Sequence, residues 1–182
     1  MASVALKVVI ATDAWKPQIN GVVTTLSHVE GYLRAQGCEV RVIHPGDFHT
    51  FALPNYKEIC VAWNVWKFAE IFESFKPDCV HIATEGPIGL AARRYLTKRG
   101  LPFTTSLHTK FPEYVNQRIG MPVSWGYAFL RWFHEPSKAT LVTTESMRDE
   151  LTARGLKDLV VWTRGVDTQL FCPEQGDKLR EG

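Results

Sequence analysis

The stretch Ala5-Leu-Lys-Val-Val-Ile-Ala-Thr12 decides the fold class. Apart from Lys7 it is apolar or small at every position, the pattern of a central strand covered on both faces. A polar loop from Asp13 to Asn20, containing Pro17, ends it. Val22, Leu26, Val29 and Leu33 then recur at i, i+4, i+7 and i+11, one face of a helix. Gly37 is placed to stop that helix, and Cys38-Glu-Val-Arg-Val-Ile43 gives a second strand.

The alternation continues outward. His44 to Tyr56 carries Pro45, Gly46 and Pro54 among polar residues and reads as a loop. Ile59 to Ala62 reads as a short strand, and Trp66, Ala69, Phe72 and Phe75 as a helical stripe ended by Lys76-Pro77. Asp78 to Ala83 is a strand, Pro87 to Lys98 a helix with Gly100 beyond it, and Pro102 to Leu107 a strand. Helical stretches follow over Glu113 to Arg118 and Pro122 to His134. Ala139 to Thr144 is a strand, Ser146 to Arg154 a helix, and Leu159 to Trp162 the last strand. The expected class is α/β: a Rossmann-like, open, mainly parallel sheet of six or seven strands with helices on both faces. Residues 1–165 are expected to form this domain and 166–182 the start of a junction. Ligands collect at the carboxyl ends of strands in such sheets, which directs attention to the loops after Thr12, Ala83, Leu107, Thr144 and Trp162.

Bulk properties narrow the function classes. The 182 residues suit one domain with a single core, and 45% hydrophobic, 12% aromatic and 22% charged residues are those of a globular chain. A net charge of +2 gives no footprint for nucleic acid. Met1 to Val4 carry no cationic leader, no stretch has the length of a spanning helix, and the expected location is the cytoplasm. Cys38, Cys60, Cys79 and Cys172 lack metal or redox spacing and read as buried or half-buried hydrophobes, not as a redox or zinc site.

Three loops hold the candidate chemistry. Asp13-Ala-Trp-Lys-Pro-Gln-Ile-Asn-Gly-Val22 has one glycine where a dinucleotide site would need G-x-G-x-x-G, which disfavours a nicotinamide cofactor and, with it, a sugar-nucleotide epimerase. Asn20-Gly21 opens the helix, either as an ordinary cap or as N–H groups that receive a phosphate. Thr84-Glu85-Gly86 puts a carboxylate at a strand end, either holding sugar hydroxyls or complementing a helix dipole. Ser106 to Tyr114 is the densest in polar groups. His108 stands just past an apolar strand, with structural and functional roles both open.

Together these loops resemble one family. Thr12-Asp-Ala-Trp-Lys-Pro-Gln-Ile-Asn-Gly-Val22, His81-Ile-Ala-Thr-Glu-Gly-Pro-Ile-Gly89, Leu107-His-Thr-Lys-Phe-Pro-Glu-Tyr114 and Arg164-Gly-Val-Asp-Thr-Gln-Leu-Phe171 are similar, in order and spacing, to the N-terminal domain of glycosyltransferase family 4, of GT-B architecture. The likeness is greatest to its bacterial α-mannosyltransferases and sulfoquinovosyl-transferase-like members, and it covers Lys7 to Pro173. It implies a retaining, metal-independent transfer of a hexose, mannose among them, from a GDP- or UDP-sugar to a sugar or lipid acceptor. It also implies that Asn20 and Gly21 approach the donor diphosphate, that His108 lies near the transferred sugar, and that Glu85, Thr109, Lys110, Tyr114 and Arg118 line the acceptor side. The second domain, with the family's basic pair and E-x7-E element, is not found in these 182 residues, so this chain by itself is expected to be inactive. A non-catalytic Rossmann-like binding or regulatory module is the alternative.

One surface feature extends the reading. Between Arg93 and Arg131 lie seven Lys or Arg against one acid, Glu113, and Trp125, Phe129 and Trp132 recur at i, i+4 and i+7. This pattern fits either a helix resting on an anionic membrane or an aromatic stripe packed on the sheet.

Overall fold

In the computed structural model, residues 5–53, 56–108, 112, 120–163 and 165 are described. Six strands form one parallel sheet in the order β2-β1-β5-β6-β7-β8. They are β1 (Lys7–Ala11), β2 (Glu39–Ile43), β5 (Cys79–Ile82), β6 (Thr104–Leu107), β7 (Thr140–Val142) and β8 (Leu159–Val161). The helices among the described residues are α1 (Gly21–Ala35), α2 (Phe68–Phe75), α3 (Pro87–Arg99), α4 (Val123–His134) and α5 (Glu145–Ala153). The expected class is the observed one.

The two-residue alternation of each strand sorts the helices between the faces. Val8, Ile10, Val40 and Val42 pack with Leu26 of α1. Val9, Ala11, Val80 and Ile82 point the other way, into a core with Phe68 and Phe72 of α2 and Ile88, Ala92 and Leu96 of α3. Leu107 and Val142 continue that second face beneath Tyr127 and Leu130 of α4 and Met147 and Leu151 of α5. Among the described residues, α1 covers one face and the other four helices cover the opposite one. The face of β6 that carries Thr104 and Ser106 is therefore on the α1 side, in register with His81.

Three sequence expectations need correction. The stretch read as a loop contains β3 (Thr50–Leu53), paired antiparallel with β4 (Tyr56–Ala62), so the short strand belongs to a separate hairpin and not to the main sheet. Pro45 and Gly46 sit in a 3-10 turn ahead of that hairpin and do not exclude it. The stripe through Trp66 is also displaced. Trp66 sits on a 3-10 turn and is exposed, and α2 buries Phe68 and Phe72, stacked at 5.7 Å. Finally, of the Trp125, Phe129, Trp132 stripe on α4 only Phe129 packs against the core, and the two tryptophans do not. Trp125 is 68% and Trp132 47% exposed, while Tyr127, Leu130 and Phe133 fill the core. The spacing identified one face of the helix correctly but not the buried one, because the neighbouring face is equally apolar.

Candidate functional site

The strand order reverses direction between β1 and β5, and the crevice outside their carboxyl ends is where ligands gather in such sheets. Asp13, two residues beyond β1, crosses this crevice to the opening of α3. Its Oδ1 accepts from the Ile88 N–H at 2.8 Å, and its Oδ2 accepts from the Gly89 N–H at 3.2 Å and the Thr84 hydroxyl at 2.8 Å. The Asp13 N–H in turn donates to Thr84 Oγ1 at 2.7 Å. Burial pushes the carboxyl above its ordinary value, and the bonds from Ile88, Thr84 and Gly89 offset only part of this. The close approach is made possible by two glycines. A Cβ on Gly86 would strike the Asp13 carboxyl group, and one on Gly89 would strike the Thr84 carbonyl.

The opening of α1 is built differently. Asn20, in extended conformation, is its N-cap, and its Oδ1 accepts from the Val22 and Val23 N–H groups at 3.0 Å each. The cap is neutral and exposed, and the first turn holds no acid. The first turn thus places no acid of its own at the positive end of the helix dipole, and two of its N–H groups already have a partner in Asn20. Ile19, just before the cap, is 98% exposed.

His108 lies one residue beyond β6. Alternation puts Thr104, Ser106 and His108 on one face of that strand, with His81 of β5 beside them. His81 Nδ1 is 2.9 Å from Thr104 Oγ1 and its Nε2 3.1 Å from Ser106 Oγ, and Ser106 Oγ is 2.9 Å from His108 Nε2. Trp162, following β8, sets its ring 6.4 Å from both imidazoles, edge-on to each. Desolvation, with the neighbouring His108 adding to it, pulls the His81 pKa down to about 4, so His81 is neutral at physiological pH.

The other face of β6 carries a second polar chain. His134, the last residue of α4, is 4% exposed, and its Nδ1 lies 2.9 Å from Thr105 Oγ1. Thr105 continues to Thr140 at 3.0 Å and Thr140 to Ser137 at 3.2 Å. His134 Nε2 is 3.4 Å from Glu85 Oε1, an ion-pair distance when the ring is protonated but without the geometry of a hydrogen bond. Glu85 is thus set against α4, while the opening of α3 is served by Asp13.

Of the site residues read from sequence, Asn20, Gly21, Glu85 and His108 all follow carboxyl ends of the parallel strands. Thr109, Lys110, Tyr114 and Arg118, like residues 166–182 of the expected junction and the stretch over Glu113 to Arg118, lie outside the described residues. Sequence reading passed over Asp13, His81, Ser106 and His134. The alternation Thr104, Ser106, His108 was a usable signal for a polar strand face. Nothing local could reveal that Asp13 reaches across to residues 71 to 76 positions away. Among the described residues there is no group of three or more His, Cys, Asp or Glu placed to hold a metal, and no helix is long and apolar enough to cross a membrane.

Comparison with known proteins adds what geometry cannot. The model of the family described as Glycosyltransferase Family 4 matches residues 19–170. GDP-mannose-dependent alpha-mannosyltransferases of Mycobacterium tuberculosis and Corynebacterium glutamicum are 25% and 23% identical to this chain over 187 and 186 residues. Each alignment covers 92% of this chain, and they cover 50% and 45% of those relatives. An alpha-monoglucosyldiacylglycerol synthase of Acholeplasma laidlawii is 29% identical over 129 residues, 61% of this chain and 32% of that protein. The chain spans about half the length of the curated mannosyltransferases it matches.

Proposed function

The chain belongs to glycosyltransferase family 4, and from that premise we propose that, joined to a second, donor-gripping domain, it transfers a hexose from a nucleotide sugar to an acceptor hydroxyl. The observation that carries this reading is the family match across residues 19–170, which takes in Asn20, Gly21, Glu85 and His108. The hexose is mannose and the donor GDP-mannose, in keeping with the relatives that bear those names. In the reaction the bond from the anomeric carbon to the diphosphate breaks, a bond to the acceptor oxygen forms with retention, and the nucleoside diphosphate and the acceptor's proton depart. The protein's task is to stabilise charge on the leaving diphosphate and to hold the acceptor in line. The opening of α1 offers the diphosphate a positive dipole end with no acid in its own first turn, and Gly21 allows close approach. His108 orients the sugar or the acceptor from the end of β6. No metal or organic cofactor takes part. Residues 1–165 form the acceptor-side domain and 166–182 begin the junction.

The test is turnover by the longer natural protein supplied with GDP-mannose, with GDP-glucose, UDP-glucose and UDP-galactose as competitors. GDP-mannose consumption with transfer to an acceptor is expected, and this chain by itself should give none. Absence of turnover with every donor would overturn the reading in favour of a binding module.

The acceptor is a lipid or glycolipid reached from a membrane surface, a reading favoured by the outward pair Trp125 and Trp132 on α4. The Arg93 guanidinium lies 3.8 Å from the Trp132 ring centre, so a cation and an indole share one patch. The glycolipid-synthase relative points the same way. Co-sedimentation should show binding to anionic but not neutral vesicles, weakened by salt and by Trp125→Ser with Trp132→Ser. Equal recovery with both vesicle types would favour a soluble acceptor.

A further inference from the structure

Trp162 extends β8 by one residue. Its backbone N–H donates to the Val142 carbonyl at 2.7 Å, so the ladder with β7 continues past Val161. Alternation fixes the side of the sheet on which the indole stands. Leu159 and Val161 pack into the core beneath α4 and α5, so Val160 and Trp162 belong to the α1 side, the side of Ser106 and His108. Adjacent strands lie about 4.8 Å apart, which sets β8 about 10 Å from β6 and about 14 Å from β5. The Trp162 ring is nevertheless 6.4 Å from the rings of both His108 and His81, at interplanar angles of 63° and 79°. An indole rooted on β8 meets both only by lying across β7, directed towards the middle of the sheet. It is half-buried there, so part of its surface stays open.

The opening of α1 stands at the same end and on the same side of the sheet, because α1 packs with Val8, Ile10, Val40 and Val42 and starts beyond the carboxyl end of β1. Only β5 separates β1 from β6. A diphosphate received at Asn20 and Gly21 therefore leaves its sugar to lie towards β6, where His108 and Trp162 form a corner. An indole suits a sugar in that place. One face of a pyranose ring presents C–H groups, which settle on the electron-rich face of an aromatic ring, while the hydroxyls at the rim turn to polar neighbours such as His108.

We infer that Trp162 is a substrate-contacting residue, the apolar wall on which the transferred hexose rests beside His108. The inference rests on the reading of the chain as part of a nucleotide-sugar transferase. The competing role is packing, since an indole that only covers β7 and the two imidazoles could be replaced by another bulky apolar side chain.

Equilibrium binding of GDP-mannose and of GDP to the longer natural protein separates these roles. The ratio of the two affinities measures what the hexose contributes, with no turnover required. The wild type should hold GDP-mannose more tightly than GDP. Trp162→Ala and Trp162→Leu should each weaken GDP-mannose binding about tenfold and leave GDP binding within about twofold. Trp162→Phe, which restores a flat ring, should regain most of the loss. Trp162→Leu indistinguishable from Trp162→Phe, or a GDP-mannose affinity unchanged in all three variants, would overturn the inference while the transferase reading stands. Equal losses of GDP and GDP-mannose binding would assign Trp162 to the fold and overturn it as well. If the wild type binds neither ligand, the donor assignment itself has failed, and the hexose wall falls with it.

Discussion

Two helices open onto the crevice between β1 and β5, and the chain treats them in opposite ways. The opening of α3 is filled by the Asp13 carboxylate, which accepts from Ile88, Gly89 and Thr84 and is lodged against Gly86. The opening of α1 carries only the neutral, exposed amide of Asn20. Both follow the same rule, that a helix N-terminus needs acceptors for its first N–H groups. The difference is in charge and burial. A buried carboxylate satisfies the α3 dipole within the fold, so an incoming phosphate there would meet a like charge. A neutral amide satisfies hydrogen bonds and adds no negative charge at the α1 dipole. Of two similar helix ends, one is therefore a structural joint and the other is electrostatically receptive to an anion.

Substitution can break this contrast most severely at Asp13. Asp13→Ala strands two helix N–H groups and a hydroxyl in a crowded place and should cost about 3 kcal/mol in denaturant unfolding, with an unchanged m-value. A loss below about 1 kcal/mol would mean that the α3 joint is not structural. Gly89→Ala should cost about 2 kcal/mol in the same assay, because the new methyl meets the backbone carbonyl of Thr84 and not a movable side chain. Asn20→Ala, by comparison, should cost about 1 kcal/mol, the ordinary value of an exposed N-cap. If Asn20→Ala proves costlier than Asp13→Ala, the two roles have been exchanged.

The pH dependence gives a smaller but sharper distinction. The Asp13 carboxyl has a folded pKa above its unfolded value, so its contribution is fully present below the unfolded pKa and is lost as pH rises through the folded one. The stability of wild type relative to Asp13→Asn should therefore increase as pH falls from 7 towards 4. The difference between wild type and Asn20→Ala should stay flat, because no titrating group is removed.

The sequence was most legible where the signal is periodic. Strands β1, β5 and β6, the helix after Asn20 and the Gly37 and Gly100 stops all follow from alternation, heptad-like spacing and left-handed glycines, and both glycines do hold positive φ. It was less legible where two apolar faces compete. On α4 the tryptophan spacing is as regular as that of Tyr127, Leu130 and Phe133, and only the neighbouring strands determine which face is buried. The site divides in the same way. His108 and Asn20 could be found because they directly follow or precede regular elements. The Asp13 joint and the pairing of Glu85 with His134 could not, since their partners are brought together by topology across 49 or more positions.

The central claim, that this domain supplies a positioned histidine to a sugar-transfer reaction, is tested most directly by steady-state kinetics of His108→Ala in the longer natural protein with GDP-mannose as donor. The variant's kcat should be lower by at least about a hundredfold, with an unfolding midpoint matching the wild type, as expected when a positioned transition-state group is lost from an intact fold. Wild-type turnover by the folded variant would contradict it and return His108 to a structural role at the end of β6.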